Sequence, residues 1–114
     1  MADEVTYINV AEGINRVMKN TKLFSKLLGK FKDDTNIKDI ESAFEKNDIE
    51  SARNSSHTLK GLAANLALTE LFKQVLELET QLKAGTMNRA QLAVVKNVLT
   101  MTNLEIDKVI EQYA

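Results

Sequence analysis

The chain has 114 residues, 44% hydrophobic and 27% charged, with a net charge of −1 at pH 7. That length and mixture predict one soluble globular domain over 1–114, and the interspersed charges predict neither a nucleic-acid footprint nor a polybasic membrane anchor. The absence of cysteine and the presence of a single histidine exclude a disulfide framework, a thiolate metal site and an imidazole pair for zinc.

The chain contains no proline, and its β-branched residues fall in helical spacings, which predicts an all-α fold. A short first helix opens at Asn9, with Glu12 three residues on in a capping-box arrangement and Val10, Ile14 and Val17 along one side. After a break near Asn20, a second helix runs from about Thr21 to Phe31 and buries Leu23, Leu27, Leu28 and Phe31. Asp33-Asp34-Thr35 separates it from a third, about Asn36 to Lys46, carrying Ile37, Ile40 and Phe44. The fourth starts at Asn47, whose side chain caps while Glu50 reaches back, and continues to about Leu66. The fifth runs from Thr69 to Ala84 and stops at Gly85, and the sixth runs from near Asn88 to the C-terminus.

Spacings of three and four define a seam on each long helix. Ile49, Ala52, Ser56, Leu59, Ala63 and Leu66 form one on the fourth, and Leu71, Val75, Leu78 and Leu82 another on the fifth. Leu92, Val95, Leu99, Thr102, Ile106, Val109 and Tyr113 continue the pattern on the sixth. Short loops make neighbours antiparallel. The expected architecture is an up-and-down antiparallel four-helix bundle of the second, fourth, fifth and sixth helices, with the short first and third covering one end.

His57 follows Ser56 and therefore flanks the seam, in a partly exposed strip with Arg53, Lys60, Gly61 and Ala64. Lys60 brings a cation one turn away on roughly the same face, and Gly61 leaves the space beside the imidazole open. A phosphoryl group arriving there meets a nitrogen nucleophile, a cation and clearance. Folding the fourth and fifth helices about the turn near Leu68 brings Glu79 level with His57. A hydrogen bond from Nδ1–H to Glu79 would leave the Nε2 lone pair free to attack. Taken singly, a lone histidine is usually an ordinary surface or core residue, and Glu79 an ordinary solvated carboxylate.

The run His57-Thr58-Leu59-Lys60-Gly61, followed by Ala63-Ala64-Asn65-Leu66, then Leu78-Glu79 and Leu82-Lys83-Ala84-Gly85, resembles a histidine-containing phosphotransfer (HPt) domain. Gly13-Ile14-Asn15-Arg16, Leu27-Leu28 to Phe31 and Asn47-Asp48-Ile49 extend the resemblance over nearly the whole chain. It implies a phosphorelay carrier in two-component signalling, with His57 phosphorylated, Lys60 the nearby cation, Gly61 the clearance residue and Glu79 the imidazole partner. It also implies a docking face that includes Arg53, Leu62 and Ala64. Two positions depart from the common pattern: Ala67 stands where a glycine often ends the histidine helix, and Leu62 where a small residue is usual.

The implied partners are response-regulator receiver domains and a hybrid histidine kinase, with the carrier itself monomeric. No convincing acidic cluster for magnesium is present, so the receiver is expected to supply the metal and the chain to need no cofactor. No glycine-rich phosphate loop or serine triad appears, so no intrinsic kinase activity is expected. The missing cysteines fit a reducing cytoplasm. No apolar run approaches the ~20 residues of a membrane span, and Met1-Ala2-Asp3-Glu4 lacks the start of a signal peptide. The stripe Lys19, Lys22, Lys26 and Lys30 is expected to be a solvated face, and Met18, Met87 and Met101 packing residues. Two other readings stay open: an inert helical adaptor, and the dimerisation domain of a histidine kinase. The latter usually contributes two helices per chain and an acidic residue after its histidine, where this chain has Thr58.

Overall fold

The computed structural model describes residues 5–113, so the leader expectation for residues 1–4 lies outside the described residues. Among the described residues there are six helices and no strand: α1 (Val10–Arg16), α2 (Thr21–Phe31), α3 (Asn36–Glu45), α4 (Ile49–Asn65), α5 (Thr69–Lys83) and α6 (Arg89–Tyr113). Short polar side chains start most of them by accepting from an otherwise unpaired backbone N–H. Asn9 accepts from Glu12 N at 3.2 Å, Asn20 from Leu23 N at 3.0 Å and Asn88 from Gln91 N at 3.0 Å. The cap of α4 is Asp48, which accepts from Ser51 N at 3.1 Å, and not the expected Asn47. Asn47 instead takes a left-handed φ of 55° and ends α3, while Asp48 N–H donates to Ala43 O at 2.8 Å. Asn tolerates that conformation better than most residues, and the tight α3–α4 turn needs it.

Helices α4, α5 and α6 follow one another around the bundle, each antiparallel to the last. The remaining wall is segmented. Lys32 pairs with Asp107, Glu41 with Lys96 at 2.6 Å, and Arg89 donates to Phe44 O at 3.1 Å. As the number rises along α2 and α3, the partner's number falls along α6, so the two short helices lie in series antiparallel to it. A 25-residue helix is about 37 Å long at the usual rise and has room for both. Thus α3 is half of a wall, packed chiefly on α4, where the sequence suggested an end cover. Helix α1 does cover an end: Asn9 N–H donates to Ala67 O at 2.9 Å and Thr69 Oγ1 to Thr6 O at 2.6 Å, tying it to the α4–α5 turn.

The expected seams meet in one core, with Ala52, Leu59, Ala63, Leu71, Val75, Leu78, Val95 and Ile106 all buried. On α2 the inward stripe is Phe24, Leu28 and Phe31, while Leu23 is exposed. Both registers satisfy helical spacing, and the observed one seats the Phe24 ring against Gly13, where a Cβ would overlap it. Met18 and Met101 are exposed, contrary to a packing role, and Met87 packs against the core.

Candidate functional site

His57 stands at the middle of α4 with its side chain 69% exposed, and Nδ1 lies 2.9 Å from Oε2 of Glu79 on α5. The register follows from the turn between the helices. Ala67 adopts a left-handed φ of 57°, and Leu68 N–H donates to Ala63 O at 2.9 Å. This closes α4 without a glycine, and seats His57 and Glu79 level with each other as their distances from the turn predict.

Glu79 is 2% exposed and bears three contacts. Besides His57, the Lys60 ammonium lies 2.6 Å from Oε1 and the Lys83 ammonium 3.5 Å from Oε2. Burial pushes the Glu79 carboxyl up. The Lys60 contact, the His57 hydrogen bond and the charges of Lys60 and Lys83 outweigh burial and hold it below its ordinary value of 4.5. Glu79 is therefore a carboxylate at neutral pH, and a carboxylate can only accept. The proton of that contact sits on Nδ1, and the lone pair of a neutral imidazole then belongs to Nε2. Nε2 has no hydrogen-bond partner among the described residues.

Gly61 is exposed one turn further along α4, and a Cβ built on it meets nothing within 4 Å. The residues of the expected docking face separate. Arg53 lines the cleft that holds His57, and Leu62 lines an apolar groove of about 670 Å³ with Val17, Leu27 and Phe31 on the other flank of α4. Ala64 faces a smaller hollow beside α1. Lys19, Lys22, Lys26 and Lys30 are exposed, and none forms an ion pair among the described residues. Lys83 had no role assigned from its position in the sequence. The signal was its spacing of four from Glu79, which puts both on one face of α5. Among the described residues, no group of three or more His, Cys, Asp or Glu side chains is placed to hold a metal ion, and no helix is long and apolar enough to cross a membrane.

The fold and the site together define an antiparallel helical bundle that displays one histidine, oriented from behind by a buried carboxylate. The family model described as Hpt domain matches residues 26–112, covering α3, α4 and α5 entirely and much of α2 and α6, and the chain belongs to that family. The family carries a phosphotransfer role in two-component signalling, as phosphocarriers and not as kinases. No curated protein and no solved structure matches the chain.

Proposed function

We propose that this chain is a single-domain, cytoplasmic, monomeric carrier that takes a phosphoryl group onto Nε2 of His57 from a receiver-domain aspartyl phosphate and passes it to another receiver. A hybrid histidine kinase stands upstream. The observation that carries this reading is the 2.9 Å contact between Nδ1 and the buried Glu79 carboxylate, which leaves the opposite ring nitrogen open at the surface. In the transfer, the Nε2 lone pair forms the N–P bond as the P–O bond of the acyl phosphate breaks, and the receiver's carboxylate leaves with the bonding pair. Nδ1 keeps its proton. The ring gains positive charge, which the Glu79 carboxylate stabilises from behind.

Phosphoryl transfer depends on positioning and charge compensation. The receiver supplies the magnesium ion and its own acidic ligands, and the carrier supplies a fixed nitrogen, cations and clearance over Gly61. A glycine in a helix interior costs about 1 kcal/mol relative to alanine. Among the described residues a Cβ at position 61 meets nothing within 4 Å, which supports a clearance kept for a docked partner. The test is incubation with a phosphorylated receiver domain. The expected outcome is an acid-labile label on the wild type and none on His57→Gln, with unchanged helical circular dichroism. Equal labelling of His57→Gln, or an acid-stable ester on the wild type, leaves the adaptor reading in its place.

A further inference from the structure

The near-neutral charge of the whole chain hides a segregation. Residues 10–32 hold six of its 15 basic side chains and one of its 16 acidic ones, and no acidic residue falls between 13 and 32. Arg16 pairs with Glu12 at 3.9 Å and Lys32 with Asp107. Lys19, Lys22, Lys26 and Lys30 are exposed and form no ion pair among the described residues. Spaced three and four apart, they run about 16 Å along the α1–α2 turn and the side of α2 opposite its inward stripe of Phe24, Leu28 and Phe31. Apolar side chains flank them: Leu23 is exposed beside the stripe, and Met18, 92% exposed, stands at its N-terminal end. Met18 and Lys19 take left-handed φ of 57° and 64°, a conformation that disfavours any side chain with a Cβ, and Lys19 N–H donates to Ile14 O at 2.9 Å. The turn thus holds a methionine out among lysines. This face is not the histidine's. Helix α2 packs on α6 and α3 on α4, so their wall lies opposite α5, whereas His57 and Glu79 meet at the α4–α5 edge.

We infer that this face docks on an anionic phospholipid membrane, with the four lysines over the headgroups and Met18 entering the interface. The inference is independent of the carrier reading. Lysine is a compact charge without the bidentate fork of arginine, and the stripe lies on the convex side of a helix with no acidic side chain among its members. Such a face selects negative charge without selecting shape, which a fluid layer of headgroups offers and a fixed protein surface does not require. A cluster of four lysines is enough for measurable electrostatic attraction to an anionic leaflet, and an exposed apolar side chain at its end adds a contact that salt does not screen. The contact is peripheral, since no helix among the described residues is long and apolar enough to cross a membrane. A membrane on the α2 face leaves the α4–α5 edge clear, so a membrane-held chain still presents His57.

Co-sedimentation of the full chain with vesicles tests this. The probes are phosphatidylcholine alone and phosphatidylcholine with about 30% phosphatidylserine, at low salt and at about 0.5 M salt. The wild type is expected to pellet with the anionic vesicles at low salt, to be released at high salt and to ignore the neutral ones. Each of Lys19→Gln, Lys22→Gln, Lys26→Gln and Lys30→Gln should weaken binding about fivefold, and the quadruple variant should lose it with unchanged circular dichroism. Replacing the same four lysines by arginine should keep binding, because the attraction needs charge and not donor geometry. Met18→Ser should weaken it several-fold without changing its salt dependence. Equal binding to both vesicle types, or wild-type binding by the quadruple Gln variant, overturns the proposal. Retention on immobilised polyglutamate with no binding to anionic vesicles also overturns it and gives the face to an acidic protein.

Discussion

Glu79 shows how one residue can serve both stability and chemistry. Its carboxyl is held below 4.5 in the folded chain, so the unfolded state takes up the proton more readily. The stabilisation it contributes is therefore complete above that ordinary value and lost as pH falls through the lower folded one. Glu79→Gln should flatten the acid limb of stability between those values, as measured by urea midpoints across about pH 2.5 to 6. A Glu79→Gln variant that kept the wild-type acid limb would place the linkage elsewhere. Gly61 gives the complementary case. Gly61→Ala should raise stability by about 1 kcal/mol, because alanine suits a helix and the space is empty. Gly61→Arg should keep the fold and block labelling by a phosphorylated receiver, since the long side chain occupies the clearance beside His57. Normal transfer by Gly61→Arg would remove docking from this face.

At the scale of elements, the turns decide what the helices can present. Gly85 ends α5 at a φ of 91°, and a Cβ there meets nothing within 4 Å. The penalty for a side chain at that position is conformational alone, so Gly85→Ala should lower stability by about 1 kcal/mol in chemical denaturation. The sign is opposite to that at Gly61, although both sites are sterically open, because only Gly85 is left-handed. The turns after α3 and α4 manage with Asn47 and Ala67 at φ of 55° and 57°. This explains why the cap of α4 moved to Asp48, since a residue committed to the left-handed end of one helix cannot also cap the next. On α2 the choice of Phe24 over Leu23 was beyond helical periodicity, which both satisfy. The observed register seats Phe24 against an α1 glycine that leaves room for its ring.

At the scale of the whole molecule, one chain closes its own bundle. Helices α2 and α3 in series make one wall, and α4, α5 and α6 make the other three. Among the described residues the four walls are filled by one chain; the monomer proposed above predicts a mass near 12.8 kDa in light scattering. An obligate dimer would return the kinase-dimerisation reading.

The sequence by itself determined the all-α class, the seams of α4, α5 and α6, and the pairing of His57 with Glu79. These depend on local periodicity and on counting equal distances from a turn, which a linear chain already contains. Only the tertiary structure decided that α3 is a wall rather than a cover, and that Arg53, Leu62 and Ala64 face three different hollows. It also decided that Lys60 and Lys83 both meet the Glu79 carboxylate, at 2.6 and 3.5 Å. Those outcomes depend on which side chains meet across helices, and a spacing of three or four residues states the face a lysine occupies without stating the charge it will find there.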